Sequence, residues 1–452
     1  MSSTLTSITV PLGETASEDG LAALLGSPGT PSADFCWIRR GSGLIGFGEA
    51  ARFEATGPDR FMLGEQWWRS LILEATSIDP LQLPGTGPVA FGSFAFSKTS
   101  EFASRLVVPE LVVGLRDGLL WATLISLTGS TPTRAQLDES LGRFVPALLR
   151  NGALDDASLT GADDENGEAL DAVVRPGSLG EQDWMDAVEQ GVQRIRQGAV
   201  EKIVLARDVL VELPTEVRAP QVLARLSSRY RECWTYRVDD FVGATPEMLI
   251  QVVGRTAQAR VLAGTLDRRD AATRPESEGE LDFAERVLAG SAKQRHEHQI
   301  AIDSLVNALE PFSAVTDAHE EPFILELPNV WHLASDVKAE LLEAEGHVPS
   351  SLALVNALHP TAAVCGTPTL PAGSIIRELE HLDRGPYAGP VGWLDGAGNG
   401  EWGIGLRGGL LGGETARLFA GCGVVEGSVP ETELAETWAK FRPMLEALGV
   451  SV

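Results

Sequence analysis

The 452-residue chain carries 36 basic against 63 acidic side chains, a formal charge of −27, which argues against nucleic acid or an anionic membrane as partner. An apolar share of 44% supplies a sizeable core for two or three ordinary domains or one large α/β or α+β domain. An anionic substrate must then be met by local positive charge, so basic residues inside apolar or glycine-rich runs are the informative ones.

The N-terminal "MSSTLTSITVPLGETASEDG" has no basic segment followed by an apolar one, so no signal peptide is expected. No run approaches the roughly 18 apolar residues of a membrane span. "DFCWIRRGSGLIGFG", "PVAFGSFAF" and "RLVVPELVVGLRDGLLWATLISL" predict mostly antiparallel strands. Residues 151–171, acidic, glycine-rich and aperiodic, predict a loop or linker. They end an N-terminal part, 1–170, and precede a C-terminal part, 172–452.

In the C-terminal part, "SLGEQDWMDAVEQGVQRIRQG" predicts a helix capped by Ser178, with Trp184, Val188 and Ile195 as its apolar stripe and Gly198 at its end. A strand then starts at Lys202, with Lys202, Val204 and Ala206 on one face and Ile203, Leu205 and Arg207 on the other. A lysine there reads locally as a strand-end charge. "APQVLARLSSRYR" predicts a second helix. "CWTYRVDDFVGATPEMLIQVVG" and "TAQARVLAGTL" predict strands, the first with a Gly-Ala-Thr-Pro break. A long helix runs through "SAKQRHEHQIAIDSLVNALEPF" to Pro311. "WGIGLRGGLLGGETARLFAGCG" predicts two strands joined by a Gly-Gly turn. "SVPETELAETWAKFRPMLEAL" predicts the last helix, with Ser428 and Glu431 as a capping box. This mixture is an α+β pattern.

On the last helix Glu433, Glu436 and Lys440 fall at about 0°, −60° and −20°, one stripe beside the apolar face. A solvated Glu436–Lys440 pair is the plain reading. The preceding "LFAGCGVVEGS" brings Gly421, Cys422 and Gly423, whose backbone N–H groups suit an anion. On the long helix, His296 and His298 point about 200° apart and cannot share a metal. Glu297 lies between them above small and apolar neighbours and needs a partner. Two helices offering glutamates suit a hard cation such as Mg²⁺. Glu247, Arg407 and His359 are three further polar residues in apolar or glycine-rich runs, each also readable as a satisfied structural group. The four separated cysteines, without a C-x-x-C, fit a reduced cytoplasmic protein rather than a disulfide framework or zinc site.

Together these stretches resemble the chorismate-utilising enzymes. The matching segments run in order: "EKIVLARDV", "FVGATPEMLI", "LAGT", "SAKQRHEHQI", "ELPNVWHL", "LHPTAAVCGTP", "RGPYAGPVGW", "GIGLRGG" and "AGCGVVEGSVPETELAETWAK". The resemblance implies a single large α+β domain of the anthranilate/isochorismate synthase type, with two packed antiparallel sheets and helices outside. In it, 1–170 is a variable part of the same domain and 172–452 the chorismate-binding catalytic core. It implies Mg²⁺ on Glu297 and Glu436, with Glu433 direct or one step removed. It implies substrate contacts from Gly264, Thr265, Tyr387, Arg407, Gly421, Cys422, Gly423 and Lys440, with His359 near the ring. Gln294 stands where anthranilate-type members often have a further glutamate.

Two positions sort the family. Lys202 occupies the place where water-using members carry a general base, and Ala263 the place where members with a covalent intermediate carry lysine. The resemblance therefore implies isomerisation of chorismate to isochorismate, for menaquinone or siderophore synthesis, by a cytoplasmic monomer without an obligatory glutaminase. Lys202 would be the base, its pKa lowered by burial near Mg²⁺ and Arg407, and Glu247 the acid. Salicylate synthase and anthranilate- or aminodeoxychorismate-type chemistry are the alternatives.

Overall fold

The strand Lys202–Glu212 is the centre from which the architecture is easiest to follow. From Ile203 to Glu212 it pairs with Thr415–Val424, Ala206 opposite Gly421 and Val204 opposite Gly423, while Lys202 lies opposite Thr367. In the computed structural model, which describes residues 4–26, 32–146, 148, 172–275, 277–318, 321–343 and 347–450, these two strands belong to a sheet of thirteen. Of Ala263, Thr265, Lys293 and Glu297 it describes the backbone only, and the acidic stretch 151–171 lies outside the described residues. A second sheet has ten strands, among them Met248–Val253, Thr256–Asp267, Val330–Leu341 and Gly400–Ile404. Pairing is antiparallel except for Thr76–Ile78 beside Thr6–Glu14.

Both sheets draw strands from before and after 151–171. Phe35–Arg39 pairs with Trp234–Val238 in the first, and Val89–Ser93 with Pro390–Asp395 in the second. Strand residues buried on both faces, 111–115 in the first sheet and Val89–Ser93 in the second, show that both sheets are covered on two sides at their middle. The result is an α+β fold in which the two sheets share one apolar core, with Phe35, Trp37, Phe91, Trp393 and Trp402 in a single cluster.

The chain passes twice from one sheet to the other at adjacent points. Phe241–Thr245 belongs to the first sheet and Met248–Val253 to the second, so Pro246–Glu247 is a crossover. Gly400–Ile404 belongs to the second and Gly408–Gly412 to the first, so Gly405–Arg407 is another. Ile404 N–H donates to Glu247 O at 3.1 Å and Ala244 N–H to Arg407 O at 3.2 Å, which locks the two together. The expectation of two strands in "WGIGLRGGLLGGETARLFAGCG" is corrected to three. Arg407 takes a positive φ of 48° at the second crossover, which breaks the alternation read for Gly403, Gly405 and Arg407.

Helix starts also differ from expectation. The last helix, Pro430–Ala447, begins one residue later than a Ser428 cap requires, with Val429 at the cap and no side-chain cap bond. Pro430 explains this: it lacks the N–H that a cap would serve and is preset for the first helical position. Ser428 instead accepts from Val425 N–H at 3.1 Å and bonds Glu433. The helix Glu181–Arg196 starts after Gly180, not Ser178, whose N–H is bound by Asp208 at 2.7 Å. The long helix follows its expectation: Ser291 caps Ala292–Leu309 and Pro311 falls in the short 3₁₀ turn after it.

Candidate active site

Lys202 opens its strand with its side chain inward and only 8% exposed. The strand alternation sends Lys202 and Val204 into a cavity of about 160 Å³, while Arg207 goes the other way, under Trp438 and Phe441 of the last helix. A side chain at Gly423 would meet Lys202 Cε at 2.9 Å, so glycine there makes room for the lysine. Gly408–Gly412 pairs no further than Leu418, which leaves one edge of Gly421–Gly423 at the cavity wall.

The two crossovers supply the opposing groups, Glu247 and Arg407, both on the cavity wall. No described residue hydrogen-bonds the Glu247 carboxyl. Burial raises it to about 8, against the pull of Lys202, Lys440 and Arg407. It is therefore mostly protonated at neutral pH. The Arg407 guanidinium donates through Nη2 to His332 Nε2 at 3.2 Å, and His332 Nδ1 reaches Gly264 O at 3.1 Å. Arg407 Nη1 is buried without a partner among the described residues, an unused donor on a residue of the cavity wall. Gly264 sits at a bulge between Ala263 and Thr265 with φ +77°.

The last helix forms a further wall with Glu433, Glu436 and Lys440. Lys440 Nζ pairs with Glu436 at 2.5 Å and donates to Gly421 O at 2.8 Å. Glu433 is raised by burial first and by the Glu436 charge second, and burial raises the neighbouring Cys422 thiol. Two crowded carboxylates of this kind fit a hard cation, which relieves their repulsion and takes oxygen ligands. The side chain of Glu297 lies outside the described residues. Those described gather no set of three His, Cys, Asp or Glu side chains that could hold a metal.

Tyr387 lines the cavity, stacked on Phe419 with ring centres 5.3 Å apart. The Thr265 side chain is not described. His359 does not line the cavity. It packs edge-on against Phe96, and its Nε2 bonds Phe96 O at 2.9 Å, an anchor to the N-terminal segment that follows Val89–Ser93. That placement corrects the expectation of a ring contact.

Two polar cavity residues escaped the sequence reading, His332 and Arg384, while Gln294, read there only as a departure from the anthranilate type, also lines the cavity. His332 lies inside the quoted "ELPNVWHL", where apolar neighbours disguise it as a core histidine. Arg384, buried, bonds Glu380 and donates to Val364 O at 2.9 Å and Val204 O at 2.7 Å, so it ties the Lys202 strand to the 361–364 loop.

One cavity thus gathers a lysine, a carboxyl pushed by burial towards its protonated form, a guanidinium fixed by His332 and an acidic helix, the wall of an enzyme's candidate active site. The chain matches the chorismate-binding enzymes over residues 6–449 and belongs to that family. It is 38% identical to the isochorismate synthase DhbC of Bacillus subtilis over 60% of this chain and 68% of the relative. It is 31% identical to a salicylate-biosynthesis isochorismate synthase of Pseudomonas aeruginosa over 91% and 84%. It shares its fold with the menaquinone-specific isochorismate synthase MenF of Escherichia coli, with a TM-score of 0.75, 23% identity, and coverage of 98% and 94%.

Proposed function

We propose that the chain is an isochorismate synthase, an isomerase that moves the hydroxyl of chorismate from C4 to C2. The observation that carries this reading is the entry of Lys202 and the protonated Glu247 into one cavity. A base and an acid in that relationship suit a reaction in which one water is deprotonated while a hydroxyl is protonated. The names of the relatives above support the same substrate.

Water attacks C2 as the two ring double bonds shift and the C4–O bond breaks. Lys202 takes the proton of the attacking water, and Glu247 gives its proton to the departing oxygen from the opposite face. Arg407, held by His332, and Lys440 bind substrate carboxylate, with Tyr387, Gly264, Thr265 and the Gly421–Gly423 edge shaping the place of the ring. Glu436 and Glu297, with Glu433 beside them, would hold Mg²⁺, which when bound supplies orientation and charge neutralisation for a carboxylate. The product would feed menaquinone or siderophore synthesis. The enzyme works as a cytoplasmic monomer without a glutaminase, a setting that the four buried free thiols suit.

The test is incubation of the purified protein with chorismate and Mg²⁺, with products separated by liquid chromatography. Isochorismate without pyruvate is expected. Salicylate with pyruvate would move the chain to the lyase branch, and turnover only on addition of ammonia would overturn the role given to Lys202.

A further inference from the structure

Glu247 borders more than the main cavity. It also lines a second space of about 20 Å³, whose wall shares Ala363 with the main cavity. That volume is about what one water molecule needs. Leu249, Val261, Ala301, Leu305 and Ile404 make much of its wall apolar. Arg260 touches it, but its guanidinium is held by Asp336 at 2.7 and 2.8 Å.

Two polar residues remain on its wall, Glu247 and Thr361. Thr361 is partly exposed as a residue, yet its hydroxyl oxygen is buried and has no partner among the described residues. The hydroxyl is thus the inward-turned atom. A buried hydroxyl left unbonded is costly, and a water held by it and by the carboxyl would satisfy both.

We propose that this space is the berth of a single water molecule, held between the Thr361 hydroxyl and the Glu247 carboxyl, which takes up the oxygen released at C4. The inference rests on the isomerase reading above. That reaction consumes one water and releases another. The C2–O bond forms from the attacking water, whose proton goes to Lys202. The C4–O bond breaks, its electron pair stays on oxygen, and the Glu247 proton completes the released water. In the return direction the same oxygen attacks C4, and the Glu247 carboxylate takes its proton. A water must therefore stand on the Glu247 side in one half of the cycle while the substrate ring fills the main cavity. The space beyond Glu247 meets that need, and Thr361 acts there as a positioning residue.

Thr361→Val keeps the side-chain shape and removes the hydroxyl; Thr361→Ser keeps the hydroxyl. With both directions assayed, Thr361→Val is expected to lower kcat about fivefold to tenfold with the KM for chorismate within about twofold, and Thr361→Ser to recover most of the loss. A Thr361→Val kcat within about twofold of the parent, or a Thr361→Ser enzyme as slow as Thr361→Val, would overturn the berth. A crystal structure of the parent that orders buried water supplies the second arm: a water bonded to Thr361 Oγ1 and the Glu247 carboxyl is expected, and a dry space overturns the proposal. If the parent forms no isochorismate, the isomerase reading fails and the berth's catalytic role with it. A kinetic failure confined to the Thr361 variants leaves that reading intact.

Discussion

Arg407 Nη2 stands 3.2 Å from His332 Nε2, and because arginine can only donate, that nitrogen must carry a lone pair. The imidazole proton then sits on Nδ1, pointed at Gly264 O. Burial, with Arg407 second, pushes the imidazole down to about 3, consistent with a permanently neutral ring. Removing the ring frees a buried guanidinium that should be fixed before substrate arrives. His332→Ala is expected to raise the KM for chorismate roughly tenfold with a smaller change in kcat. Steady-state kinetics decide; an unchanged KM would mean that the crossover backbone alone orients Arg407.

Lys202 is the residue whose loss should be felt most in turnover. Lys202→Ala is expected to lower kcat by roughly 10²-fold or more with the fold retained. Circular dichroism and a melting curve check the fold, and near-parental activity would remove Lys202 from proton transfer.

Glu247 ties activity and stability to pH in the same direction. Its carboxyl lies at about 8 in the folded chain and about 4.3 in an unfolded one. Between those values the folded state holds the extra proton, so stability falls as pH rises and levels off beyond about 8. Activity that needs the protonated acid should fall across the same upper limit. The kcat/KM profile is expected to descend near pH 8, and Glu247→Gln to flatten the decline of melting temperature between pH 5 and 8 by about half or more. Parallel melting profiles in the two proteins would show the carboxyl to be ionised throughout.

Glu436 shares its charge between Lys440 and the place proposed for the cation. Glu436→Gln is expected to raise the Mg²⁺ concentration for half-maximal activity by about tenfold or more. An unchanged titration would reassign the metal.

Arg384 and Glu380 are buried together, with side chains 2% and 1% exposed. Glu380 also accepts from Ala206 N–H at 2.7 Å. Arg384→Met leaves that carboxylate unpaired and should cost about 3–5 kcal/mol, while Arg384→Met with Glu380→Leu should recover much of the loss. Urea unfolding of the three proteins tests the ordering.

Periodicity showed much of this in advance. The Lys202 alternation, the Ala292–Leu309 helix and the stripe of Glu433, Glu436 and Lys440 all follow from spacing, because each is a single regular element. The first crossover showed only as a Gly-Ala-Thr-Pro break, and the second was not legible. "WGIGLRGGLL" alternates like one strand, and nothing local says that Ile404 pairs in one sheet and Gly408 in the other. His332 was hidden for a similar reason: its role comes from Arg407, 75 residues away. The start of the last helix was misread because Pro430 outweighs a serine two residues earlier. His359 was given a ligand role from resemblance, whereas its partner is Phe96 in the N-terminal part.

Because each sheet joins a block of strands from before 151–171 to a block from after it, the C-terminal part should not be a separable enzyme. Expressed alone, 172–452 would lose the neighbour of Trp234–Val238 in one sheet and of Pro390–Asp395 in the other. Two apolar strands would then end as bare, unprotected margins, the usual template for intermolecular pairing. A shortened version of this protein should therefore precipitate rather than turn over.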